Sequence, residues 1–72
     1  MRAAEHIEVN PQVMLGKPVL RGTRITVELL LRKLSEGSTE PDLLAAYPGL
    51  TRQRIHAALA YAAEALALEH TD

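Results

Sequence analysis

The side chains able to carry chemistry fall into two sets. The first would serve catalysis or metal binding, and it is thin. His6, His56 and His70 are scattered, with no metal-ligand pair on one helical face. Ser35 and Ser38 have no neighbouring base, and no two carboxylates share an obvious buried setting. The chain has no cysteine, which excludes disulfides, thiolate zinc sites and a thiol nucleophile. These residues predict no enzyme, no metal, no cofactor and no small-molecule substrate. The second set is cationic. Lys17, Arg21, Arg24, Arg32 and Lys33 lie between residues 17 and 33, opposed only by Glu28, and Arg52 and Arg54 follow. Glu36, Glu40 and Asp42 separate the two groups, and Glu64, Glu69 and Asp72 make the tail acidic. Either the two cationic segments share a face, or they are ordinary solvated surface. The total of eight basic and nine acidic residues does not by itself argue for nucleic acid or membrane.

The elements that must position these groups are legible from pattern. His6 to Asn10 alternates apolar and polar residues, as a short strand does. Asn10-Pro11 signals a turn, Val13 to Leu15 extends or turns again, and Gly16-Lys17-Pro18 breaks the chain. Val19-Leu20 and Ile25 flank Arg21-Gly22-Thr23-Arg24, a tight connection in which Gly22 supplies a positive φ. From Thr26 the period becomes helical: Val27, Leu30, Leu31 and Leu34 share one face. Thr26 suits the N-cap and Gly37 the stop. Thr39-Glu40-Pro41-Asp42 resembles a capping box opening a second helix, with Leu43, Leu44 and Tyr47 on its apolar side. Tyr47-Pro48-Gly49-Leu50 ends it, and Thr51 caps a third helix running to about Leu68. The predicted fold is mainly α and a single domain over 1–72, with a short β-hairpin-like segment at 6–26 and three helices over 27–68.

The second and third helices, joined by a short Gly-containing turn, have the pattern of a helix-turn-helix. In that geometry the start of the second helix of the pair faces the DNA major groove. Here it reads Thr51-Arg52-Gln53-Arg54, with His56 on the next turn. Arg can read guanine bidentately, Gln can read adenine, and Thr and Arg can hold phosphates. Arg21 and Arg24 on the hairpin are further candidates for the DNA backbone. The Gly16 to Ile25 segment lacks the spacing of a phosphate-binding loop, so a nucleotide site is not expected.

The third helix raises a different question. From Ala57 to Leu68 its only polar groups are Glu64 and the Tyr61 hydroxyl, and seven alanines lie between 57 and 67. A helix apolar nearly all round is expected to be covered on more than one side. Two short helices do not suffice, so a second copy or another protein is expected over Ala58, Tyr61, Ala62, Ala65, Leu66 and Leu68. Size points the same way. Seventy-two residues bury only about 60% of the unfolded surface, so a homodimer is expected. The core must be aliphatic, because there is no Trp or Phe and only Tyr47 and Tyr61 are aromatic. Met1 to Val9 has no apolar run resembling a signal peptide, and no stretch approaches the roughly 20 apolar residues of a membrane span. A soluble, cytoplasmic protein is expected.

At Gly16-Lys17-Pro18-Val19-Leu20-Arg21-Gly22-Thr23-Arg24-Ile25 the chain resembles the prokaryotic domain-of-unknown-function family number 433. Ile7 to Val9, Thr39 to Pro48, Leu50-Thr51 and Ile55 to Tyr61 carry the rest of the resemblance, which covers residues 6 to about 62. Thr26 stands where many members have Pro, and Glu40 separates the capping Thr39 from its Pro. The resemblance implies a homeodomain-like fold. It also implies an antitoxin that pairs with a PIN-like ribonuclease toxin, dimerises and binds its own operator DNA. A toxin cleft built for RNA would then accept Glu64, Glu69 and Asp72 in place of phosphates. The other readings are a stand-alone homodimeric helix-turn-helix regulator and a pure protein-interaction module.

Overall fold

The computed structural model describes residues 5–69. Strand β1 (Ile7–Glu8) pairs antiparallel with β2 (Val19–Leu20), Ile7 opposite Leu20 and Glu8 opposite Val19. Three helices follow: α1 (Val27–Ser35), α2 (Glu40–Ala46) and α3 (Arg52–Glu69). The chain is thus mainly helical behind a short two-stranded hairpin, as its pattern predicts.

The strand expected over His6 to Asn10 is shorter than its alternation suggests. Asn10 ends it, accepting through Oδ1 from the Gln12 amide at 2.9 Å and through its carbonyl from the Val13 amide at 2.9 Å. The chain then turns again. Met14, Leu15 and Gly16 all have positive φ, at 50°, 59° and 84°. For the two side-chain-bearing residues this conformation costs about 1–2 kcal/mol each. Leu15 is 93% exposed at its tip, so no burial offsets that cost. Past β2, Gly22 sits at φ 80° in the expected tight turn. Thr23 amide to Leu20 carbonyl and Leu20 amide to Ile25 carbonyl, each 2.9 Å, close it.

Local signals set each helix boundary. Thr26 Oγ1 accepts from the Leu29 amide at 2.9 Å and opens α1. Glu28 in its first turn and Arg32 and Lys33 in its last complement the helix dipole. At its end the Gly37 amide reaches the Leu34 carbonyl at 3.1 Å and the Ser38 amide the Lys33 carbonyl at 3.0 Å, a Schellman motif with Gly37 at φ 102°. Helix α2 opens with the full reciprocal box. Asp42 donates its amide to Thr39 Oγ1 at 3.2 Å, and the Thr39 amide donates to Asp42 Oδ2 at 2.9 Å. Gly49 at φ 90° makes the turn into α3, whose third amide, Arg54, donates to Thr51 Oγ1 at 3.1 Å.

The core joins hairpin and helices. Ile7, Leu20, Val27, Leu30, Leu43, Leu50, Ile55 and Ala58 are buried in one cluster, with Ile25, Leu31, Leu34, Tyr47, Tyr61 and Ala62 packed around it. Helix α3 packs on β1, α1 and α2 through its first half. At 1.5 Å per residue, its 18 residues span about 27 Å, longer than the core it serves. From Ala63 to Ala67 every residue is exposed.

Two surface carboxylates give the fold an acid limit. The Thr39 backbone amide bonded to Asp42 holds its carboxyl below the ordinary value. The Lys17 ammonium, hydrogen-bonded to Glu28, does the same there, with help from Arg32. A carboxyl lowered in the native state binds its proton more readily when unfolded. Its stabilisation is therefore present above the unfolded-chain values, 4.5 for Glu28 and 3.8 for Asp42, and is lost as pH falls through the lowered ones. Thermal melts from pH 6 to pH 2.5 are expected to show this fall. Asp42→Asn keeps an acceptor for the Thr39 amide but removes the titration, and is expected to make the fall shallower. An unchanged slope would remove Asp42 from the account.

Candidate nucleic-acid interface

The head of α3 is presented by the turn before it. Leu50 is buried under the turn and Ile55 is buried one turn into the helix, so the face between them points outward. Thr51, Arg52, Gln53 and His56 are exposed and Arg54 is half-buried. Thr51 uses one lone pair of its hydroxyl to cap the helix and keeps its hydroxyl proton to donate. Gln53 has no side-chain partner among the described residues.

Arg52 and His56 are not loose. They stand four residues apart on one face of α3, and both meet Glu40 at the start of α2. Arg52 Nε donates to Glu40 Oε1 at 3.1 Å, and His56 Nε2 lies 3.0 Å from Glu40 Oε2. The Arg52 side chain remains 74% exposed, against 30% for Glu40. The carboxylate lies inside and the guanidinium outside.

Arg54 has a different job from the one its type suggests. Its Nη2 donates to the Arg21 carbonyl at 3.2 Å and its Nη1 to the Gly49 carbonyl at 3.4 Å. It therefore ties the hairpin turn to the turn ahead of α3. Arg21 is likewise committed inward. Its Nε donates to the Glu5 carbonyl at 3.1 Å and its Nη2 to the Ile7 carbonyl at 3.0 Å, while its own amide bonds the His6 carbonyl at 2.8 Å. Both arginines satisfy backbone carbonyls: Arg21 those of Glu5 and Ile7, Arg54 those of the two turns it joins. Arg24, in the same hairpin turn, is exposed and has no side-chain partner among the described residues.

The two cationic segments thus meet at Arg21 and Arg54. Lys17 and Arg32 stand apart from that meeting point: both pair with Glu28, at 3.1 and 3.3 Å. A shallow groove runs beside them on α1, between Pro18, Val27, Leu31 and Ser35. Among the described residues no three His, Cys, Asp or Glu side chains group as metal ligands, and no helix is long and apolar enough to cross a membrane.

Along α3 the residues expected to meet a partner divide. Ala58 is 0% exposed inside this chain's own core, and its neighbour Ala57 is buried too. That corrects the expectation for Ala58: it belongs to the cluster that the hairpin, α1 and α2 form with α3, and is not left for a partner. Tyr61 and Ala62 are half-buried against the same core. Ala65 is exposed, as is Leu66 at 65%. Glu64 is exposed beside them. The side chains of Leu68 and Glu69, and all of Asp72, lie outside the described residues.

Glu40 is the member of this site that residue types alone do not reveal. In sequence it is only the residue that separates the capping Thr39 from Pro41. The spacing of Arg52 and His56 invites a shared carboxylate, but which one depends on how α2 crosses α3.

Comparison with known proteins bears on the family. A profile described as "Protein of unknown function (DUF433)" matches residues 7–62. The crystal structure of a DUF433 member protein from Anabaena variabilis is similar, with a TM-score of 0.80 and 37% sequence identity. The match covers 82% of this chain and 58% of that one, so this chain spans little more than half the length of that relative. No curated protein matches.

Proposed function

This chain belongs to the DUF433 family, and from that premise we propose that it is a non-catalytic regulator of the antitoxin type, acting in the cytoplasm. In this reading the α2–α3 pair works as a homeodomain-like helix-turn-helix on operator DNA, and the far half of α3 meets a protein. The carrying observation is the head of α3. Thr51, Arg52, Gln53 and His56 are exposed together, with Arg24 exposed on the adjoining hairpin. Arg and Gln at such a position have the donors that guanine and adenine edges accept. Arg54 supports the surface by bonding the hairpin turn at the Arg21 carbonyl, and the Arg21 side chain ties that turn to the first strand.

The protein arm of the proposal rests on the end of α3. Ala63, Ala65, Leu66 and Ala67 leave apolar surface uncovered beside Glu64. A second copy is one occupant. A PIN-like ribonuclease toxin is the other, its cleft taking the acidic end of the chain in place of RNA. A stand-alone homodimeric regulator is the second reading. It keeps the same DNA surface and needs no toxin.

The test has two parts. The tagged full chain is captured from its host, and the co-purifying proteins are identified with their stoichiometry. The purified chain is then titrated with a duplex carrying its own upstream sequence at several salt concentrations. A near-equimolar small nuclease together with salt-dependent duplex binding is the expected result. Recovery as a homodimer alone, with duplex binding intact, selects the stand-alone regulator. No duplex binding at low salt removes the DNA half of the proposal.

A further inference from the structure

Glu40 is not needed where it stands for helix capping. Thr39 and Asp42 already form the complete box at the start of α2. Its carboxylate instead turns to α3, and each oxygen takes one partner: Arg52 Nε at 3.1 Å and His56 Nε2 at 3.0 Å. Ion pairs this exposed contribute little to fold stability. The arrangement has two other effects. It holds the guanidinium through Nε, and neither terminal nitrogen of Arg52 is hydrogen-bonded to the carboxylate. It also places a negative charge beside the cations at the head of α3.

Resting on the DNA-binding reading above, we propose that Glu40 is a specificity-determining positioning residue for the recognition helix. Held through Nε, Arg52 presents its two Nη groups as a preformed fork, the geometry that guanine O6 and N7 accept. Fixing the side chain beforehand removes part of the ordering cost of binding the correct base. The carboxylate also weakens the pull of Arg52 on phosphate, which is the sequence-independent part of DNA affinity. Both effects act in one direction. They favour the correct sequence over any other duplex.

The test compares wild type, Glu40→Gln, Glu40→Ala and Arg52→Ala, all as full chain. Each is titrated by fluorescence anisotropy with two duplexes of equal length. One carries the chain's own upstream sequence and the other is its scrambled counterpart. Thermal melts confirm that each variant is folded; Gln is isosteric and leaves the Thr39–Asp42 box in place. The expected result for the Glu40 variants is tighter binding to the scrambled duplex, with the log–log salt slope steeper by about one. The ratio of affinities for the two duplexes falls about ten-fold. Unchanged slope and ratio in the Glu40 variants, while Arg52→Ala weakens binding, overturn the proposal and leave the DNA reading standing. A wild type that binds both duplexes equally also overturns it. A wild type that binds neither overturns it together with the DNA reading.

Discussion

Replacing Ile55 with alanine is expected to remove a large part of this protein's stability. Ile55 is fully buried at the angle between α2 and α3 and belongs to the cluster that also contains Ile7, Leu20, Val27 and Leu30. Truncating such a side chain costs about 2–5 kcal/mol, the transfer term plus the cavity left behind. At 0.05–0.15 kcal/mol per residue, a domain of this length holds only about 4–11 kcal/mol in total. A loss of that size lowers Tm by about 10 °C or more in so small a domain. No aromatic side chain is fully buried here, so few neighbours are large enough to fill the gap. A melt showing a change under about 1 kcal/mol would mean that the core does not close around Ile55. Duplex binding measured on this variant would be uninformative, because the helix carrying Arg52 would no longer be held.

Replacing Arg52 with alanine is expected to give the opposite separation of effects. Its side chain is 74% exposed and its link to Glu40 is a surface ion pair, so Tm is expected to move little. Affinity for the correct duplex is expected to fall by about 1–3 kcal/mol, roughly 5- to 150-fold, if the fork reads a base. The diagnostic is the scrambled duplex. A loss confined to the correct sequence marks base reading, and an equal loss on both marks a phosphate contact. No loss on either would exclude Arg52 from the interface. Arg54 lacks this clarity. It bonds the Arg21 and Gly49 carbonyls, so its removal loosens the hairpin as well as the surface charge.

Which parts of this were legible in the sequence depends on the range of the interaction. Thr26, the Thr39–Asp42 box, Thr51, Gly37 and Gly49 act on backbone groups within a few residues of themselves. Their roles can be read from type and spacing, and the helices start and stop where those residues place them. The exposed order at the head of α3 is also local, following from one buried residue on either side. Three features were not legible, because each depends on a crossing between distant elements. Ala58 reads from sequence as available to a partner, yet it is buried in a core shared by the hairpin and all three helices. Arg21 reads as a surface cation, yet its guanidinium bonds carbonyls in and just before the first strand, 14 and 16 residues earlier in the chain. Glu40 reads as incidental, yet its carboxylate meets Arg52 and His56, 12 and 16 residues further on.

The way the hairpin shares the helices' core also bears on how the chain folds. Ile7 comes from the first element and Ile55 from the last, and β1 packs directly on α3. The innermost contacts therefore close a loop of nearly fifty residues, unlike those of an up-and-down bundle, where neighbours in sequence are neighbours in space. Such closure is entropically costly and slows folding relative to a helical protein of equal length. During synthesis, Ile7 lacks its contact with α3 until that helix has been made. Helices α1 and α2 can form early from their own caps, but the final step belongs to α3, which settles the hairpin, the core and its own exposed head together.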